Sequence, residues 1–121
     1  MIDDDVDTIA VFCDYLEIKQ IKVIGKGFNG KEAVELYQKL KPDIVFSDVM
    51  MPEYDGFYAL EKIRQIDPDA KIIMVTADLR AETEHRLKAL KASAIVFKPF
   101  DMNRIMEIIY RLASMPMQTT Y

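Results

Sequence analysis

The feature that most restricts the fold is a set of short, continuously apolar runs set between segments of helical periodicity. IVFS (44–47), KIIMVT (71–76) and AIVF (94–97) lack the in–out alternation of a half-exposed strand. Runs of this kind mark strands buried on both faces, as in a parallel sheet covered by helices on both sides. KVIGK (22–26) is a shorter run ending in glycines and predicts a further strand. Ile9, Phe12, Cys13 and Leu16 recur at helical spacing and predict a first helix over 6–19. A second helix opens at Gly30-Lys31, carries Ala33, Val34, Tyr37 and Leu40, and ends before Pro42. A third carries Phe57, Leu60 and Ile63 and stops before Asp67-Pro68. Residues 80–91 predict a fourth, with only Leu87 and Leu90 as large apolar residues, so it should be the most loosely held. Asp101 is placed to cap a last helix whose Met102, Ile105, Met106, Ile109 and Leu112 face inward.

Strands alternating with helices predict an α/β, doubly wound parallel sheet with right-handed crossovers. At 121 residues the chain suits one domain, expected over 1–115, with a frayed tail at 116–121. The net charge of -4 gives no general affinity for nucleic acid. No apolar run approaches a membrane span, and no signal peptide is expected. A single cysteine excludes an internal disulfide and fits a cytoplasmic setting, with Cys13 read as core.

In open parallel sheets, functional groups gather at the carboxyl ends of the strands. Asp48 directly follows IVFS, Thr76 ends KIIMVT, and Lys98 follows AIVF. Three buried strands thus deliver three chemically capable side chains to one edge. The chain also opens MIDDD. If Met1-Ile2 ends a strand beside IVFS, Asp3 and Asp4 join Asp48 at that edge. Converging carboxylates repel unless a cation is present. Mg²⁺, which takes about six oxygens at roughly 2.1 Å and keeps several waters, suits two or three carboxylates and a carbonyl. Lys98 would add a fixed positive charge, and the Thr76 hydroxyl a hydrogen bond. Such a set forms a receptor for a phosphoryl group carried by Asp48.

On IDDD (2–5), SDVMMPEYDG (47–56), VTA (75–77) and FKPF (97–100), the sequence resembles a response-regulator receiver domain of a two-component system. The resemblance implies a flavodoxin-like strand order 2-1-3-4-5. It implies Asp48 as phosphoacceptor, Asp3, Asp4, Asp48 and the Met50 carbonyl as Mg²⁺ ligands, and Thr76 as switch hydroxyl. Lys98 becomes the phosphate-binding lysine, followed by a cis bond to Pro99, and Asp5 a cap or outer neighbour. It further implies no classical enzyme activity, a histidine kinase or phosphotransfer protein as donor, and a protein target read by a switching helix face.

Two departures qualify the likeness. Ile95 stands where the family usually has an aromatic residue, so coupling would run through Thr76 alone or another residue such as Phe97. Relatives carry four or five apolar residues ahead of the acid pair, where this chain has Met1-Ile2. A largely missing first strand would leave its neighbours with unpaired backbone groups, at about 1–3 kcal/mol each if buried. Low stability, or a homodimer exchanging a strand, is the expected compensation.

Three rivals remain. GKGFNG (25–30) fits a glycine-rich nucleotide loop between strand and helix, and Asp48 could serve a ribose. An aspartyl-phosphate hydrolase would want an acid two residues beyond its nucleophile, where Met50 stands. A receiver-like interaction or dimerisation domain would keep the fold without the chemistry. His85, the one histidine, reads as a solvated helix residue.

Overall fold

The computed structural model describes residues 1–99 and 101–114. Its elements are α1 (Val6–Ile18), α2 (Gly30–Leu40), β1 (Val45–Asp48), α3 (Gly56–Ile66), β2 (Ile72–Thr76), α4 (Ala81–Ala89), β3 (Ala94–Phe97) and α5 (Met102–Ser114). The tail expected at 116–121 lies outside the described residues.

Among the described residues the three strands form one parallel sheet in the order β1-β2-β3. Side chains alternate across it as the pleat requires. Val45, Ile72 and Met74 join Leu60, Ile63 and Leu87 on one face. Phe46, Ile73, Val75 and Val96 join Phe12, Leu16, Ile105 and Ile109 on the other. Helices therefore cover both faces, which is why the strand runs are apolar throughout. Cys13 is 1% exposed, as a core residue should be.

The helix starts follow from short polar caps. The Asp5 carboxylate accepts the Asp7 and Thr8 N–H groups at the head of α1. Asn29 accepts from Glu32 N–H before α2, and Asp55 from Tyr58 N–H before α3. Asp101 accepts from Asn103 N–H at the start of α5. Each satisfies a helix-end donor that has no partner within its helix. α4 lacks a side-chain cap and buries only Thr83 and Leu87, in keeping with its thin apolar stripe.

The side of β1 away from β2 differs from expectation. Ile2 bridges in parallel to Ser47 on one side and to Gly27 on the other. Its N–H donates to Phe46 C=O at 2.7 Å, and its C=O accepts from Asp48 N–H at 2.8 Å. Met1-Ile2 thus takes the central place between β1 and the segment before α2. The run 22–26 does not form the strand its composition suggests. A strand needs a neighbour for its backbone, and along this segment the described partners are only Met1 to Asp3, which reach Gly25 and Gly27.

Candidate functional site

Asp48 ends β1, Thr76 ends β2, and Lys98 directly follows β3. Parallel register sets Asp48 beside Val75 and Thr76 beside Phe97, so the three groups share the carboxyl edge of the sheet. The bridge at Ile2 carries Asp3 to the same edge, where its N–H donates to Gly27 C=O at 3.1 Å. The expectation that both amino-terminal acids reach Asp48 is met in the geometry. Carboxylate oxygens of Asp3, Asp4 and Asp48 all lie within 4.8 Å of one another.

These carboxylates differ in setting. Asp3 is 0% exposed, Asp48 6%, and Asp4 is exposed. Lys98 Nζ donates to Asp3 Oδ2 at 3.0 Å and to Asp48 Oδ2 at 3.1 Å. Asp48 Oδ1 accepts the Val49 N–H at 2.8 Å. Asp3 Oδ1 accepts the Asp5 N–H at 2.9 Å, so Asp5 shapes the turn while its own side chain caps α1. Burial, and then the neighbouring Asp3 charge, push the Asp48 carboxyl above its ordinary pKa despite the pull of Lys98. Burial works against the charged Lys98, but its bonds to Asp3 and Asp48 outweigh this and raise its pKa. One ammonium shared by two buried carboxylates leaves a surplus of negative charge, with Asp4 adding more at the rim.

Local folding supports this edge. The loop after β1 turns back so closely that a Cβ on Gly56 would collide with the Asp48 carbonyl. Gly56 N–H donates to Val49 C=O at 2.8 Å, and Asp55 starts α3. The Asp-Gly pair thus follows from steric need and capping. The Lys98-Pro99 bond is cis. Met50 lies two residues beyond Asp48 with its side chain exposed. Thr76 is fully buried, and its Oγ1 accepts the Asp78 N–H at 3.0 Å. Ile95 is half-buried against the α2–α3 side of the core. His85 is exposed.

Composition did not reveal a second ionic cluster beyond Thr76. Asp78 accepts from Arg80 Nε and Nη2, at 2.7 to 3.0 Å, and from the Thr83 hydroxyl at 2.6 Å. The Arg80 bonds and then the Thr83 bond hold its carboxyl well below the usual range. The D-x-R-x-x-T spacing of 78–83 was the available signal. The glycine-rich run also acquires a structural role. Gly30 N–H donates to Tyr54 C=O at 2.6 Å, and Asn29 caps α2, so the head of this helix is already engaged. A Cβ on Gly30 would collide with the Asp55 carbonyl.

Comparison with known proteins agrees with this architecture. The family model described as "Response regulator receiver domain" matches residues 1–110. The chemotaxis protein CheY of Thermotoga maritima is 36% identical over 115 residues, which are 93% of this chain and 94% of that protein. The CheY of Bacillus subtilis is 36% identical over 111 residues, covering 90% and 91%. Among solved structures, a chain of the CheX–CheY–BeF3–Mg2+ complex from Borrelia burgdorferi superposes with a TM-score of 0.86 at 26% identity, covering 93% of this chain and 85% of that one. The non-phosphorylated HemR receiver domain from Leptospira biflexa gives 0.86 at 25% identity, covering 99% and 95%. Sheet edge, acid cluster and relatives agree, and the chain belongs to the response-regulator receiver domains, which are signalling domains rather than classical enzymes.

Proposed function

We propose that the domain at 1–115 accepts a phosphoryl group on Asp48 from the phosphohistidine of a histidine kinase or phosphotransfer protein. An Asp48 carboxylate oxygen forms the new bond to phosphorus as the bond to the histidine nitrogen breaks, and the released imidazole takes up a proton. Lys98, already within 3.1 Å of Asp48, neutralises charge on the transferred oxygens. The Thr76 hydroxyl, at the end of the next strand, donates to the same group once it is formed.

The donor set fits a hard divalent cation. Three carboxylates offer oxygens within 4.8 Å of one another, and two are buried with a single shared ammonium. Asp3, Asp4, Asp48 and the Met50 carbonyl would hold Mg²⁺, and the ion supplies positive charge that offsets the phosphoryl oxygens. This cluster, tied together by Lys98, is the observation that carries the proposal. The CheY of the Borrelia structure is named with BeF3 and Mg2+, a phosphoryl mimic and its metal.

Phosphorylation then biases two states of the loop after β2. Thr76 moving toward Asp48 would leave the Asp78 N–H without its acceptor, and α4 is the described helix with the fewest buried residues. A protein target would read the face of α4 with α5. The setting is a cytoplasmic signalling pathway.

Beryllofluoride with Mg²⁺ should raise the melting temperature of the chain, and neither alone should do so fully. NADH should have no effect. No shift with the combined reagents would remove the phosphoacceptor reading.

A further inference from the structure

Asp78 stands between the end of β2 and the head of α4, and it is bonded in both directions. Its N–H donates to Thr76 Oγ1 at 3.0 Å. Its carboxylate reaches the other way. Oδ2 accepts the Thr83 hydroxyl at 2.6 Å, and Oδ1 accepts the Arg80 N–H at 3.0 Å. Arg80 Nε and Nη2 bond the same two oxygens. The Asp78 side chain is 11% exposed, although that of Arg80 is 70% exposed. Thr83 is one of the two buried residues of α4, and the residue ahead of this helix gives it no side-chain cap. A single residue therefore holds the buried Thr76 hydroxyl through its backbone and the first turn of α4 through its side chain. If Thr76 Oγ1 turns toward Asp48, the Asp78 N–H either loses its acceptor or follows. Following it draws the carboxylate away from Thr83 and Arg80. Both courses oppose the turn.

We propose that Asp78, Thr83 and Arg80 form a latch that holds the chain in the state where Thr76 Oγ1 is bonded to the Asp78 N–H, and so lowers the affinity of the Asp48 site for a phosphoryl group. The inference rests on the reading of Asp48 as phosphoacceptor and identifies a brake on that same site. Bonds to an ionised carboxylate are stronger than those between neutral groups, and the sheltered position of this one limits screening by salt. A ligand that needs the unlatched state binds with an apparent affinity reduced by the fraction of chains in that state. Loosening the latch raises that fraction and tightens binding. The sign separates a latch from ordinary support of the fold. Removing a merely structural contact lowers stability and leaves binding unchanged or weaker. Removing a latch bond lowers the stability of the free chain and strengthens binding.

The test is titration of the full chain with beryllofluoride at a fixed excess of Mg²⁺, followed by amide NMR shifts, beside melting curves without the reagent. Thr83→Val keeps the buried shape and loses the hydroxyl. It should melt lower than the unaltered chain yet bind beryllofluoride about fivefold more tightly. Thr83→Ser keeps the hydroxyl and should bind as the unaltered chain does. Arg80→Gln changes an exposed side chain, so it folds even where Thr83→Val does not, and it should bind about twofold more tightly. Equal or weaker binding by Thr83→Val, or by Arg80→Gln, would overturn the proposal. So would a Thr83→Ser chain altered as much as Thr83→Val. No binding by the unaltered chain would remove the phosphoacceptor reading and the latch with it. Binding by the unaltered chain with no tightening in the variants would remove the latch alone.

Discussion

Replacing Lys98 by Met probes the charge balance of the site. Lys98 Nζ is the cation bonded to both buried carboxylates, at 3.0 Å from Asp3 and 3.1 Å from Asp48. Removing one partner of a buried ionic group costs about 3–5 kcal/mol, because the remaining charge stays desolvated. The Lys98 side chain is 24% exposed, which favours the lower end, about 3 kcal/mol. For a chain of this length that is a fall of roughly 10 °C in melting temperature. The loss should appear in metal-free buffer with EDTA. Added Mg²⁺ should then stabilise Lys98→Met by more than it stabilises the unaltered chain, since the ion takes over a charge the lysine no longer supplies. Urea unfolding of both proteins, with and without Mg²⁺, measures all four free energies. A metal-free loss below about 1 kcal/mol would refute the reasoning. So would an equal Mg²⁺ increment in the two proteins.

Three other perturbations follow from particular contacts. Gly56→Ala forces a Cβ into the Asp48 carbonyl and should cost about 2 kcal/mol or more in urea unfolding, while weakening Mg²⁺ binding at the displaced edge. Tyr37→Phe removes the 2.7 Å bond from the Tyr37 hydroxyl to Asp67 and should cost about 1 kcal/mol at pH 7. That bond lowers the Asp67 pKa below 3.8, so its contribution is present above that value and fades as pH falls through the folded pKa; the gap between the two proteins should narrow in unfolding curves below about pH 3.8. Leu87→Ala, at a fully buried position and one of only two buried residues of α4, should cost about 2–4 kcal/mol and speed amide exchange in α4 more than in α3.

Much of this architecture is legible from local pattern. The runs around Val45 and Ile72 read as doubly buried strands, and β1 and β2 are buried at every position, whereas β3, expected to match them, is only partly buried and leaves Phe97 exposed. The cap at Asp101 followed from a short polar residue set before apolar periodicity. The edge rule gathered Asp48, Thr76 and Lys98 without knowledge of any contact. What stayed hidden depends on partners distant in sequence. KVIGK has the composition of a strand, yet composition cannot supply the neighbour its backbone needs, and Met1 to Asp3 reach only its end and Gly27. Arg64 lies within the α3 pattern, but its role is to bond the carbonyls of Pro68, Ala70 and Lys91. That clamp ties the end of α3 to the end of α4, and no spacing announces it. The sharing of Lys98 between Asp3 and Asp48 was implied only as a general opposition of charge.

The most direct measurement is mass analysis of the chain after incubation with acetyl phosphate and Mg²⁺. The account predicts one added phosphoryl group, located on Asp48 after borohydride trapping and peptide mapping, absent with EDTA and absent in Asp48→Asn. Addition at another residue, or equal addition to Asp48→Asn, would contradict it.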